Sequence, residues 1–252
     1  MTSTKKTPIE IEIDCNGVAF ADKWSKEIAA NIVALTGEPA LLKSYRRITA
    51  VQAIKVALLK KYSAGSAEFF YEAHNDIITS HVCASFGAWR TSLQTLRSAI
   101  ENALCAIYFR DHPIELERWN RGEYKTNFQD LCKYCETHPK LIEAEKKLKV
   151  IDALRAEYST LSKAVHSSAK NFRMSDAAGK ILMWSTERPK LGMWGTRHTL
   201  VVQGIVLLMS MLESPQLVGT MNSPVRSQLF FAISTEKRKA LKEALGITVS
   251  AP

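Results

Sequence analysis

The sequence predicts a mainly α-helical protein, a helical bundle around one very long helix with a short N-terminal strand or hairpin segment. Apolar residues recur at helical spacing through most of the 252 residues. The composition, 46% hydrophobic and 23% charged, is typical of a globular fold. Eleven Gly and eight Pro are few for an all-β protein, which needs many tight turns, so helices are favoured.

The N-terminal segment is where the strand is expected. Isoleucines alternate with acidic residues from Ile9 to Ile13, and the pair Asn16-Gly17 follows them. An alternation with a period of two is typical of a strand, and Asn-Gly is typical of a tight hairpin turn. We therefore expect a short strand or hairpin over residues 9–19, packed at an edge of the bundle.

Two helices are predicted next. Apolar residues at helical spacing run from Trp24 to Leu35, and Gly37 and Pro39 then end the pattern. A second run of the same kind extends over residues 41–62. Because each stripe gives its helix one apolar face to bury, both helices are expected to pack on the bundle.

The very long helix is predicted over residues 66–110. This stretch has no proline and one glycine, Gly87, and its apolar residues keep near-helical spacing throughout. Unbroken, the helix would be about 65 Å long at roughly 1.5 Å per residue. We expect it to be the central element, either as one helix or as two helices stacked end to end, stopped by Pro113.

The remainder is predicted as helices separated by loops. In chain order, we expect short helices at 114–120 and 127–136, a long helix at 141–167, a loop at 171–194 and a buried helix at 199–212. Pro215 indicates a linker, after which Ser234 begins a last helix that Gly246 ends. The predicted domains are a helical bundle at 1–213 and a linker with a C-terminal helix at 214–252.

The charge balance favours a polyanionic partner. A formal net charge of +9 suits contact with RNA or another nucleic acid, although basic residues also aid solubility. No apolar stretch follows the N-terminal lysines, and the longest apolar run, 200–212, is shorter than the roughly 20 residues that a membrane span needs. With five cysteines and no export signal, we expect a cytoplasmic protein that does not enter a membrane.

The first candidate site lies on the predicted helix at 141–167. Arg155 and His166 fall on one polar stripe, three turns apart, beside a stripe of apolar residues. Such a polar stripe is commonly the boundary between a helix and solvent. The alternative is a cleft or a dimer seam, where His166 moves a proton while Arg155 holds a phosphate.

The second candidate site lies on the very long helix. Arg90 and Arg97 are seven residues apart and share a face, and Glu101 follows Arg97 at i+4, within reach of an ion pair. A partly buried pair of this kind is usually structural. In the alternative, Glu101 faces His166 on a neighbouring helix, and Arg90 and Arg97 contact nucleic acid.

Metal and cofactor sites are not favoured. Cys132, Cys135 and His138 have a spacing that could hold zinc, but no second cysteine pair accompanies them. His74 and His81 are two helical turns apart, too far to share one metal directly. The sequence has no Gly-rich phosphate loop, dinucleotide fingerprint, nucleophile elbow or HExxH motif, so no cofactor is predicted.

Two segments carry a family resemblance. TLRSAIENALCAIYFRDHPIELERW places Arg–x3–Glu in a long helix, and AEYSTLSKAVHSS follows in a later helix. Together, over about Ser85 to Ser168, they resemble HEPN-like helical proteins of bacterial phage-defence and abortive-infection loci. The resemblance implies a helical bundle, frequent dimerisation and, in the active members, metal-independent RNA cleavage by an Arg and a His on one helix.

The resemblance leaves two roles open. The active members carry Arg–x4–6–His, whereas ten residues separate Arg155 from His166 here. A ribonuclease would use His166 as acid and base, Arg155 or Arg97 to steady the phosphate, and the 2′-hydroxyl as nucleophile, without a metal. The alternative is a non-enzymatic subunit (a sensor, antitoxin or scaffold) that binds a partner from the same operon through the helices at 199–212 and after Ser234. A homodimer is expected.

Overall fold

The computed structural model describes residues 6–166, 183–219 and 223–251. Within these ranges the chain forms eleven α-helices and no β-strand, which confirms the mainly α class. The helices are α1 (Pro8–Leu35), α2 (Pro39–Leu58), α3 (Ala64–Ser85), α4 (Trp89–Asp111), α5 (Pro113–Asn120), α6 (Phe128–Thr137), α7 (Ile142–Leu148), α8 (Val150–Val165), α9 (Arg188–Leu212), α10 (Ser223–Leu229) and α11 (Thr235–Leu245).

The predicted strand or hairpin at residues 9–19 is wrong, because this segment is part of the helix α1. A capping box starts the helix: the Glu10 N–H donates to Thr7 Oγ1 at 3.3 Å, and the Thr7 N–H donates to Glu10 Oε2 at 2.6 Å. Pro8 follows at the first helical position, where its missing N–H costs nothing. The alternating isoleucines remain more than half exposed, so their pattern reflects no buried sheet face.

The predicted very long helix at 66–110 is also wrong, because the chain turns back at Gly87 and forms two helices. Gly87 has φ +84°, a left-handed backbone conformation that glycine adopts without steric cost. A Cβ atom at this position would lie 2.2 Å from the carbonyl oxygen of Ser185. The turn therefore needs glycine both for its backbone angle and for the close approach of Ser185.

α3 and α4 lie side by side and antiparallel, rather than end to end. Ser80 Oγ donates to the Ser92 carbonyl at 2.7 Å, and Asn102 Nδ2 donates to Asp76 Oδ2 at 2.8 Å. Each helix has 22 or 23 residues, about 33 Å at the usual helical rise. This hairpin, and not a single post, forms the most extensive helix pair of the bundle.

The core lies where α2, α4 and α8 pack against α9. From Val201 to Leu212 every residue of α9 except Gln203 is buried, which confirms the predicted buried helix. At Gly204 a Cβ atom would lie 2.5 Å from Leu154 Cδ2, so the missing side chain lets α8 approach closely. Among the described helices only α9 is long and apolar enough to cross a membrane, and 72% of that window is buried, as in the core helix of a soluble protein.

The predicted loop at 171–194 is wrong for its last part, because residues 188–194 form the first two turns of α9. Pro189 occupies the first turn, where a helix tolerates proline. Residues 171–182 lie outside the described part of the chain. Pro189 and Gly192, which had suggested a loop, are thus accommodated within a helix that the apolar residues further along stabilise.

The predicted helix at 141–167 is divided at Lys149 into α7 and α8. Lys149 has φ +48° and is the only described non-glycine residue with a positive φ. The Glu145 carboxylate accepts hydrogen bonds from the N–H groups of Val150 and Ile151 at 2.9 and 2.8 Å. This side chain satisfies N–H groups that the start of α8 would otherwise leave unpaired.

The C-terminal segment packs on the bundle. Ser234 caps α11 and Gly246 ends it with φ +69°, which confirms both predicted caps. The Ser234 N–H donates to Gln203 Oε1 of α9 at 2.7 Å, and Lys237 Nζ donates to the Leu148 carbonyl at 2.7 Å. The domain boundary at residue 213 stays a prediction.

Candidate functional site

Three of the predicted site residues, Arg90, Arg97 and Glu101, lie along one seam between α4 and α8. Arg90 donates to the Val165 carbonyl at 2.9 Å, and Arg97 Nε donates to Ser162 Oγ at 3.2 Å. The beginning of α4 is therefore beside the end of α8, and the two helices run antiparallel. Arg90 caps a carbonyl at the end of α8, where a positive charge is favourable to the helix dipole.

Arg97, Glu101 and Tyr158 form the centre of the seam. Arg97 pairs with Glu101 at 3.2 Å and also donates to the Tyr158 hydroxyl, whose proton is donated to Glu101 Oε1 at 2.6 Å. The Arg97 guanidinium lies 4.5 Å from the centre of the Tyr158 ring, within the range of a cation–π contact. Burial and the hydrogen bond to Glu101 raise the pKa of Tyr158 to about 12, so its phenol stays protonated at neutral pH.

His166 is not part of this cluster. It is the C-cap residue of α8 and is exposed, and no hydrogen bond joins it to Glu101 within the described ranges. Tyr158, which does contact Glu101, is eight residues earlier on the same helix, a separation of about 12 Å along the axis. The alternative in which Glu101 faces His166 is not supported, because the antiparallel packing brings Tyr158, on a different turn of α8, to Glu101.

The Arg155 side chain contacts neither the Arg97 cluster nor His166 but lies against α6. It forms ion pairs with Glu136 of α6 and, at 3.3 Å, with Asp152 of its own helix. The hydrogen bond to Glu136 raises the pKa of Arg155. The structure therefore brings Arg97 and Glu101 together as predicted, but it places Arg155 and His166 elsewhere on α8.

An aromatic pocket of ≈ 420 Å³ lies beside the Arg97 cluster. Its apolar walls are the rings of Phe69, Trp119, Phe128 and Tyr158, and its polar lining includes Glu101, Asn102, Thr126 and Asn127. The Phe128 and Tyr158 rings stack with their centres 3.6 Å apart. The pocket draws on α3, α4, α5, α6 and α8, so no local sequence pattern marks it.

A second polar cluster, which we call the Arg110 network, lies at the C-terminal end of α4. Arg110 donates to both oxygens of Asp111, at 2.8 and 2.9 Å, and to Glu213 Oε1 at 3.2 Å. The Tyr134 hydroxyl donates to Asp111 at 2.7 Å. The Lys140 N–H donates to Nδ1 of His138, which leaves Nε2 of His138 to carry the proton donated to Asp111 at 3.0 Å.

The charges of the Arg110 network satisfy one another. Burial alone would raise the pKa of Asp111, but hydrogen bonds from Arg110, Tyr134 and His138 lower it to about 2. Burial lowers the pKa of His138, so the ring is neutral near pH 7. A cavity of ≈ 460 Å³ opens over these residues. Because each buried charge already has a partner, the arrangement supports a structural role, and the predicted sites did not include it.

The residues with zinc-like spacing do not converge on one point. Cys132 and Cys135 are buried in α6, and burial raises the pKa of the Cys132 thiol to about 11 and that of Cys135 further. The ring of His138 is bonded to Asp111 instead. Within the described ranges no three His, Cys, Asp or Glu side chains are grouped so as to hold a metal ion.

Comparison with known proteins adds no relative. The chain matches no protein-family model, no curated protein and no solved structure. The assignment of a function therefore depends on the residues of this chain, and the HEPN-like resemblance stays a prediction.

Proposed function

We propose that the protein is a cytoplasmic, homodimeric component of bacterial anti-phage defence of the abortive-infection type, and that it contacts RNA or another nucleic acid between α4 and α8. One observation carries the proposal: the partly exposed guanidinium of Arg97 lies beside a pocket with four aromatic walls, in a chain with a net charge of +9.

The two parts of this site suit the two parts of a nucleotide. Aromatic side chains stack on unpaired bases, and a guanidinium donates to phosphate oxygens. The pocket pairs its one carboxylate, Glu101, with Arg97, so it offers a base neutral walls with amide and hydroxyl groups. A pocket of ≈ 420 Å³ falls within the roughly 300–1,000 Å³ usual for small ligands, enough for one base.

The same geometry favours binding over cleavage. Cleavage by the family mechanism needs an imidazole within hydrogen-bond reach of the substrate hydroxyl. His166 is exposed and lies about 12 Å along α8 from the turn that contacts Glu101. Tyr158 is no substitute base, because its raised pKa keeps the phenol protonated. We therefore propose RNA binding as the activity of the α4–α8 site.

The test compares two variants that each remove one positive charge. Arg97→Gln removes the cation beside the pocket, whereas Arg121→Gln removes a cation from an exposed ion pair with Glu117 on α5. We expect Arg97→Gln to raise the Kd for a labelled single-stranded RNA about tenfold, the loss of one charge-assisted contact, and Arg121→Gln to leave it nearly unchanged. Fluorescence anisotropy at fixed ionic strength measures both. Equal affinities of the two variants would refute the site.

A cleavage assay separates binding from catalysis. RNA incubated with the wild-type protein in EDTA should remain intact, since the proposed site holds RNA without an acid–base pair. Products ending in 2′,3′-cyclic phosphate that disappear in His166→Ala would instead establish a metal-independent ribonuclease, with His166 as its acid and base.

A second candidate function, a non-enzymatic partner-binding subunit, is favoured by α1. One face of this helix carries an apolar stripe, formed by Ile9, Ile13, Phe20, Trp24 and Leu35. Leu35 is fully buried, but Ile9, Ile13 and Phe20 are 69%, 62% and 58% exposed. The apolar stripe thus continues beyond the bundle. Since α9 is buried over residues 201–212 apart from Gln203, it does not offer the docking surface predicted there. The predicted surface on α11 stays a prediction, and we add the α1 stripe to it.

This candidate is tested by co-expression with the proteins of the same operon. Ile13→Asp places a charge on the exposed stripe, and Val18→Asp, the matched control, places one on the opposite face of α1. We expect Ile13→Asp alone to abolish co-purification of the partner or, in light scattering, the homodimer. Association that survives Ile13→Asp would remove α1 as the docking helix.

A further inference from the structure

A small basic pocket of ≈ 230 Å³ lies between α2 and α9. Lys43 and Arg47, one turn apart on α2, line one side, and Thr196 and Thr199 line the other. No carboxylate is among the lining residues. The volume is below the roughly 300–1,000 Å³ of pockets for drug-sized ligands, so the space suits a group of only a few atoms.

Arg47 lacks a partner although it is partly buried. Within the described ranges it forms no hydrogen bond and no ion pair, and burial lowers its pKa. The other partly buried arginines all donate hydrogen bonds, four of them to carboxylates: Arg97, Arg110, Arg155 and Arg197. Since each of the other partly buried guanidiniums has a partner within the fold, Arg47 departs from the pattern of its own fold.

His198, on α9, also lacks polar contacts, although it does not line the pocket. It follows two residues after Thr196, its side chain is fully buried, and neither ring nitrogen has a hydrogen-bond partner among the described residues. Burial lowers the pKa of His198, so the ring is neutral and adds no charge to the pocket. Polar groups inside a fold are nearly always hydrogen-bonded, and Arg47 is the unpartnered group that lines the pocket, so its guanidinium points to an anionic ligand.

We propose that this pocket binds a phosphate group, held by Arg47 and Lys43 between α2 and α9. A guanidinium recognises phosphate oxygens through paired N–H donors, and an ammonium adds a point charge. Gly192 leaves space on the α9 side, since a Cβ atom there would meet nothing within 4 Å. The site is separate from the α4–α8 seam and goes beyond the function proposed for that seam.

Calorimetric titration with inorganic phosphate, at constant ionic strength, tests the proposal. Arg47→Gln should weaken phosphate binding at least about tenfold, because it removes the charge-assisted contacts. The matched control is Arg46→Gln, which removes the same charge from an exposed neighbour that lies over the Phe231 ring. It should leave the affinity within about twofold, since exposed charges are screened. Undiminished binding by Arg47→Gln would overturn the site.

A second pair of variants keeps the test valid if Arg47→Gln perturbs the fold. Thr196→Glu places a carboxylate in the exposed part of the pocket, where it can pair with Arg47, whereas Thr196→Gln adds a similar shape without charge. We expect Thr196→Glu to abolish phosphate binding and Thr196→Gln to retain it. Equal binding by the two variants would contradict an electrostatic anion site.

A nucleoside monophosphate, titrated in parallel, identifies the source of the phosphate group. Arg47-dependent binding of inorganic phosphate supports the free ion, and Arg47-dependent binding of the monophosphate alone supports an esterified phosphate. Binding of neither compound to the wild-type protein overturns the proposal.

Discussion

α4 carries two arginine networks, one near its middle and one at its C-terminal end, and the networks differ in depth and in the number of chain segments that supply them. Arg97 pairs with Glu101 on its own helix and with Tyr158 on α8, and its side chain is 26% exposed. Arg110 is 14% exposed and pairs with groups from α4 and, through Glu213, from the end of α9. The less exposed Arg110 network therefore connects segments that are farther apart along the chain.

This difference separates stability from function. In the Arg110 network Arg110 and Glu213 are 14% and 12% exposed and paired with each other, so loss of one leaves a largely buried charge uncompensated. In the Arg97 cluster the groups are nearer to solvent and border a pocket, so a ligand can reach them. We therefore expect stability to depend mainly on the first network and binding mainly on the second.

The largest effect is expected from Arg110→Met. The variant leaves the carboxylates of Asp111 and Glu213 without their guanidinium, and breaking a buried pair in this way costs about 3–5 kcal/mol of the free energy of unfolding. Urea denaturation followed by circular dichroism measures the loss. As a control, the triple variant that adds Asp111→Asn and Glu213→Gln removes the stranded charges and should recover at least half of it. If Arg110→Met lowers the free energy of unfolding by less than Tyr158→Phe does, stability does not depend mainly on the Arg110 network.

The pH dependence of Asp111 is the next largest effect. Its pKa falls from the usual 3.8 to about 2 in the folded protein, so its stabilisation is complete above pH 4 and is lost as the pH falls towards 2. The shift corresponds to about 2 kcal/mol at neutral pH, on the order of one kcal/mol per unit. Asp111→Asn should lower the Tm at pH 7 and lose this difference near pH 2. A constant difference over that range would contradict the assignment.

Asp76, beside the Arg97 cluster, should give a pH dependence of stability opposite in sign to that of Asp111. Burial raises its pKa to about 6, and the hydrogen bond from Asn102 only partly offsets this. The folded state therefore binds a proton more readily than the unfolded chain, and stability decreases as the pH rises from about 4 to 6. Asp76→Asn should raise the free energy of unfolding at pH 7 by about 1–2 kcal/mol. Thermal melts at pH 4 and 7 check the sign, because the gain should be absent at pH 4.

The two networks also differ in how far the sequence could predict them. Arg97 and Glu101 are i and i+4 on one helix, so their pairing follows from local geometry. Arg110 finds Glu213 about a hundred residues away, and only tertiary packing determines that contact. The helical class followed likewise from local spacing, whereas the turn at Gly87 depended on contact with the distant Ser185.

The sequence itself contains signals against the strand that was predicted at residues 9–19. Thr7 and Glu10 have the spacing of a capping box, with Pro8 between them, and these signals favour a helix start where alternating isoleucines suggested a strand. Hydrophobic alternation predicts a strand only when one face is buried, and the α1 isoleucines are exposed. The aromatic pocket had no such signal, since its lining residues come from five helices.

Tyr158→Phe should have a smaller effect on stability than either acidic variant. The ring keeps its stack on Phe128, and Arg97 remains paired with Glu101, so only the hydroxyl contacts are lost. The expected cost is about 1 kcal/mol in urea denaturation. RNA affinity should change little, because both the stacking surface and the cation remain. A loss of 3 kcal/mol or more, by the same estimate, would mean that the cluster is a structural network like that of Arg110.

The smallest effect is expected from Arg121→Gln. Arg121 pairs with Glu117 on α5, as Arg97 pairs with Glu101, but both side chains are more than 60% exposed. Solvent screens such a pair and ordering two long side chains costs entropy, so the free energy of unfolding should change by less than about 0.5 kcal/mol. If the change equals that of Tyr158→Phe in urea denaturation, depth of burial does not determine what these contacts contribute. A change within the expected limit means that similar ion-pair spacing contributes to stability only where the surrounding fold removes the charges from water.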